Sequence, residues 1–91
     1  MLSLDSVPRP NPTVVGRVLD QEAVLVLPDQ RQVKVLNEVG ARIWALADGS
    51  RSARIIAQTL THEFAVAPPQ AEADTLSFLA ELQAKGVLQS E

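Results

Sequence analysis

The stretch Arg31-Gln32-Val33-Lys34-Val35-Leu36-Asn37-Glu38-Val39-Gly40-Ala41-Arg42-Ile43 decides the fold, because the period of its apolar residues changes midway. Up to Leu36 the residues alternate. Val33 and Val35 share one face, and Gln32 and Lys34 share the other, as suits an edge strand with one solvated face. From Asn37 onward the spacing is helical, with Val39, Ile43, Leu46 and Ala47 three or four residues apart. Asn37 is a good N-cap for that helix, and Gly49 of Asp48-Gly49 is free to take a left-handed conformation at its end. Gly40 inside the helix costs about 1 kcal/mol relative to alanine, which suggests a close approach at that point.

Toward the N-terminus, two further runs precede this junction. Val14–Leu19 is followed by Asp20-Gln21, and Glu22–Leu27 by Pro28-Asp29-Gln30. β-Branched residues punctuated by turn formers predict a three-stranded antiparallel meander. The middle run is apolar nearly throughout, as befits a central strand. Residues 1–12 hold Pro8, Pro10 and Pro12, which predict an extended, unpaired arm. Toward the C-terminus, Ser50 or Ser52 caps a second helix with the stripe Ala53, Ile56, Ala57, Leu60 and Phe64. Pro69 opens a third helix carrying Ala71, Thr75, Leu76, Phe78, Leu79 and Leu82. Lys85-Gly86 closes it, and Val87-Leu88 returns to the core. The expected organisation is an arm over 1–12 and one domain over 13–91. Its class is α+β, a winged-helix-like domain in which a three-stranded antiparallel sheet is followed by three helices.

Composition excludes several kinds of function. The chain has 91 residues, a net charge of −3, one histidine and no cysteine. A cysteine-based metal site, a disulfide framework and thiol chemistry are therefore ruled out. His62 would need several carboxylates to hold a metal, and only Glu63 adjoins it, so a solvated histidine and no cofactor are expected. No nucleophile motif surrounds a serine, and Gly16, Gly40, Gly49 and Gly86 never cluster into a phosphate loop. The third helix carries Glu72, Asp74 and Glu81 with Lys85 as its cation, which disfavours entry into a DNA groove. The first eight residues lack a signal-peptide pattern, and no window has the ~20 apolar residues of a membrane span. A soluble, cytoplasmic protein is expected.

The aromatic residues divide. Phe64 and Phe78 lie on helix stripes and read as core, while Trp44 at the margin of the first helix reads as half-buried packing. Ile55 lies off its helix stripe, and either packs under the arm or marks a small contact surface.

Together these segments resemble the PqqD family, the small proteins of pyrroloquinoline-quinone biosynthesis and their relatives in other peptide-modification pathways. The resemblance runs from Val35-Leu36-Asn37-Glu38-Val39-Gly40 through Ile43, Leu46, Asp48-Gly49, Ile56-Ala57 and Leu60. It continues with Asp74, Phe78-Leu79, Leu82 and Gly86-Val87-Leu88, and so spans roughly residues 14–88. Ala47 departs from the leucine that often precedes Asp-Gly in the family. The resemblance implies a non-catalytic adaptor that binds the leader of a ribosomally made precursor as an added β-strand along the third strand. The third helix forms the other wall, and a modifying enzyme, such as a radical-SAM enzyme, is the second partner.

The third strand, read as a sheet edge, is a ready template for such pairing. The residues expected to hold the peptide are Arg31, Gln32, Val33, Lys34, Val35 and Leu36. Facing them is the small-residue arc of Ala73, Asp74, Ser77 and Ala80. The alternatives are a winged-helix DNA-binding regulator and a subunit-interface module. A homodimer is a further possibility.

Overall fold

The computed structural model describes residues 2–27 and 31–90. The element order is β1 (Pro8–Pro10), β2 (Val15–Leu19), β3 (Glu22–Leu27), β4 (Gln32–Leu36), α1 (Glu38–Leu46), α2 (Ala53–Phe64), α3 (Pro68–Ala84) and β5 (Leu88–Ser90). Strands β2, β3 and β4 form the expected antiparallel meander with β3 in the centre. Asp20-Gln21 is a two-residue hairpin turn, and Asp20 takes the positive φ that such turns require. The second expected turn, Pro28-Asp29-Gln30, lies outside the described residues.

Register explains which side of the sheet is buried. Ala23, Leu25 and Leu27 of β3 point to the helices and are buried. Their cross-strand partners on β4 are Leu36, Lys34 and Gln32. Strand β4 therefore turns Lys34 and Leu36 inward, while Val33 and Val35 are 64% and 63% exposed. The alternation in the sequence is real, but the valine face is the solvated one. Leu36, at 2% exposure, anchors the strand to the core, and the two-residue period then forces both valines outward.

The caps follow the sequence closely. Asn37 Oδ1 accepts from Gly40 N–H at 2.8 Å, and Ser52 Oγ accepts from Ile55 N–H at 3.3 Å. Helix α3 begins with Pro68 and Pro69, where absent N–H groups cost nothing. It ends in a Schellman motif: Gly86 N–H reaches Gln83 O at 3.0 Å, Val87 N–H reaches Leu82 O at 2.9 Å, and Gly86 has φ +76°. Helix α1 covers β3, α2 packs on α3, and the fully buried Leu25, Ile43, Ile56, Leu79, Leu82 and Val87 join the layers.

The expectation of an unpaired arm is corrected. β1 pairs antiparallel with β5, with Arg9 opposite Gln89. Prolines two apart put their missing donors on the same strand edge. That edge faces away from β5, since Pro8 O accepts from Gly49 N–H at 2.9 Å. The residues before it hold the start of α2: Ser6 O accepts from Ala53 N–H and Leu4 O from Arg54 N–H, both at 2.9 Å. The first donors of a helix have no partner within the helix, and here the segment supplies them. Ile55 is 44% exposed and is not covered by this segment.

Candidate functional site

Strand β4 ends the sheet, so one of its edges has no strand partner among the described residues. Helix α3 packs mainly on α2 and β5, and reaches β4 through a side-chain bridge. Lys34 Nζ donates to Glu81 Oε1 at 3.1 Å, and Lys85 Nζ approaches the same oxygen at 3.4 Å. Hydrogen bonding to the two ammonium groups holds the Glu81 carboxyl below the ordinary carboxylate range. The same contact to Glu81 raises Lys34 above the ordinary lysine value. The Glu81 side is exposed and Lys34 is half-buried, so the pair carries little stability.

Beside this bridge is a cavity of about 200 Å³ lined by Asn37, Val39, Gly40, Ile43, Asp74 and Phe78. Its floor is apolar, and its polar rim comes from the α1 cap and from Asp74, which accepts from Gln70 Nε2 at 2.9 Å. A Cβ at Gly40 would come to 3.0 Å from Phe78 Cζ and 3.3 Å from Asn37 Oδ1, so the Phe78 ring packs closely over the bare backbone there.

The expected site residues separate on this geometry. Gln32 to Leu36 form the open-edged strand, and Arg31 precedes it with φ +52°. On α3, Asp74 lines the cavity. Ser77, three residues from Asp74 and four from Glu81, is exposed beside that flank. Ala73 and Ala80 are exposed further round the helix, away from the buried Thr75, Leu79 and Leu82. Val39, Gly40 and Phe78 complete the depression. The sequence places Val39 on the apolar stripe of the first helix and reads Phe78 as core. The signal for them was Gly40 itself together with Phe78 one turn from Asp74.

A second cavity, of about 250 Å³, lies against the opposite face of α1. It is lined by Val18, Asp20, Gln21, Glu38, Ala41, Arg42, Ala45, Glu63 and Phe64. Arg42 closes one wall with a bidentate pair to Glu63, both bonds 2.8 Å. Trp44 is partly buried against the core, and its ring lies over Gly16. His62 is exposed. Among the described residues no three or more His, Cys, Asp or Glu side chains come together as a metal site. No helix is long and apolar enough to cross a membrane.

A winged-helix-like α+β domain with an open sheet edge beside its third helix defines a class of small recognition domains. The chain belongs to the PqqD family: the family described as Coenzyme PQQ synthesis protein D matches residues 22–88. Three solved structures share the fold. One is TbiB1 in complex with the TbiA(beta) leader peptide, at 30% identity over 89% of this chain and 94% of that one, with a TM-score of 0.82. Another is lasso peptide synthetase B1 complexed with the leader peptide, at 25% identity, 91% and 98% coverage and a TM-score of 0.81. The third is the PqqD truncation of PqqCD from Methylobacterium extorquens, a stand-alone recognition element for ribosomally synthesized and post-translationally modified peptides. It has 31% identity, 98% and 95% coverage and a TM-score of 0.80. No curated protein sequence matches the chain.

Proposed function

We propose that this protein is a non-catalytic adaptor that binds the leader of a ribosomal precursor peptide and presents it to a modifying enzyme in the cytoplasm. A radical-SAM enzyme is one candidate for that partner. The leader adds as a strand along Arg31–Leu36, and its side chains enter the depression between α1 and α3. The observation that carries this reading is the open edge of β4 lying beside an apolar cavity, in a fold shared with two leader-peptide complexes. Backbone pairing supplies affinity, and Val39, Ile43, Phe78 and Asp74 supply selection. On α3 the contact flank is Asp74, Phe78 and Glu81, with Ser77 beside it; Ala73 and Ala80 are peripheral.

Proline scanning tests the proposal. Successive N–H groups of β4 point alternately toward β3 and toward the free edge. Of Lys34→Pro and Val35→Pro, one removes a donor from the internal ladder and the other a donor from the open edge. Circular dichroism identifies the variant that stays folded. That variant is expected to lose about 10-fold or more in affinity for the cognate leader, measured by fluorescence anisotropy. Wild-type affinity in the folded variant contradicts the proposal.

A further inference from the structure

We propose that the cavity of about 250 Å³ on the far side of α1 is a second recognition site, which takes an arginine side chain from the surface of the modifying enzyme. Three elements build it: the β2–β3 hairpin, α1 and the C-terminal end of α2. On α1, Ala41 and Ala45 stand one turn apart on the same face, so the helix presents little side-chain volume there and leaves a hollow. Val18 and Phe64 complete an apolar lining that suits the aliphatic stem of a long cationic side chain.

The charges of the lining select the head group. Three carboxylates, Asp20, Glu38 and Glu63, share the cavity with one guanidinium, that of Arg42. Glu63 takes up Arg42 through two bonds of 2.8 Å. Asp20 and Glu38 have no ion-pair partner among the described residues. The cavity thus already seats one guanidinium of this chain and leaves two carboxylates for another. A planar, weakly hydrated guanidinium with paired donors fits such a site better than an ammonium, and the Phe64 ring favours a cation further. The position of the cavity selects the partner. It lies on the face of α1 opposite the depression beside β4, and no residue of β4 or α3 lines it. A leader paired along β4 leaves it open, so its occupant belongs to the adaptor's other partner, a step that rests on the adaptor reading. The net charge of −3 draws a basic surface toward the chain.

NMR titration of the full chain with N-acetyl-arginine methylamide, and with its uncharged citrulline counterpart, tests the site without any partner. Saturable shifts at millimolar probe on Asp20, Gln21, Ala41, Ala45 and Phe64 are expected from arginine and not from citrulline. Two variants follow. Asp20→Asn removes a charge and keeps a residue that tolerates the positive φ of the hairpin turn. Ala45→Trp fills the hollow from an exposed position. Both are expected to keep wild-type circular dichroism and leader affinity. Each is expected to weaken the arginine probe about 10-fold or more, and to weaken binding of the enzyme that modifies the cognate precursor by as much in biolayer interferometry. Absence of saturable arginine shifts, equal shifts from citrulline, or wild-type enzyme affinity in both variants overturns the proposal. Arginine shifts in a chain that binds no leader uphold the cavity and contradict the adaptor reading instead, so the two failures are told apart.

Discussion

One glycine and one threonine make the packing testable at single positions. Gly16 sits on the inner face of β2, where any Cβ would overlap the Trp44 ring. Gly16→Ala is expected to cost ~1–3 kcal/mol, the usual penalty for overpacking, and to shift Trp44 fluorescence. Chemical denaturation checks this; unchanged stability contradicts the contact. Thr75 is fully buried, and its Oγ1 has no hydrogen-bond partner among the described residues. Thr75→Val keeps the shape and removes the orphaned hydroxyl, so stability is expected to rise by about 1 kcal/mol. The pH response follows from the shifts. Glu63 is held below the ordinary carboxylate range by hydrogen bonds from Arg42, and Glu81 by those from Lys34 and Lys85. A depressed acid stabilises the fold above its unfolded pKa and loses that contribution as pH falls through its folded pKa. The contribution of both is therefore present at neutral pH and fades below about pH 4. Lys34, raised, keeps its share until pH rises through its folded value. Because both carboxylates are exposed, the effect on an acid titration of stability is expected to be small and to shrink in high salt.

The elements were legible wherever a local signal set them. The switch of period at Leu36-Asn37, the caps Asn37 and Ser52 and the Gly86 terminator all lie within a few residues of what they control. What depends on distant partners was not legible. The face of β4 that turns inward is set by its register with β3, and alternation alone cannot say which side meets the helices. Pairing of Pro8–Pro10 with Leu88–Ser90 joins the two ends of the chain, which no local pattern encodes. At the site, the open strand edge and Asp74 could be read in advance. The depression could not, because it needs Val39, Gly40 and Phe78 brought together from two helices. The β1–β5 pair gives a prediction at this scale. Removing residues 1–12 deletes the acceptors for Gly49, Ala53 and Arg54 N–H groups and uncovers Leu88, which is 3% exposed. Such a truncation is expected to lower the thermal midpoint markedly or to leave the chain unfolded. An unchanged midpoint would restore the picture of an independent arm.

For the whole molecule, the fold leaves two unused surfaces with different physics. The sheet edge offers unpaired backbone groups, which suit an extended peptide. The cavity on the far side of α1 offers two unpaired carboxylates over an apolar lining, which suit a cationic side chain. Strand β4 borders only the first, so a peptide added at its edge leaves the second open. The measurement that bears most directly on the peptide-binding role is NMR chemical-shift mapping with the cognate leader. Shifts concentrated on residues 31–40 and on Asp74, Phe78 and Glu81 are the predicted result. Saturable binding whose shifts fall instead around Ile55 or along residues 2–12, with β4 silent, would contradict it.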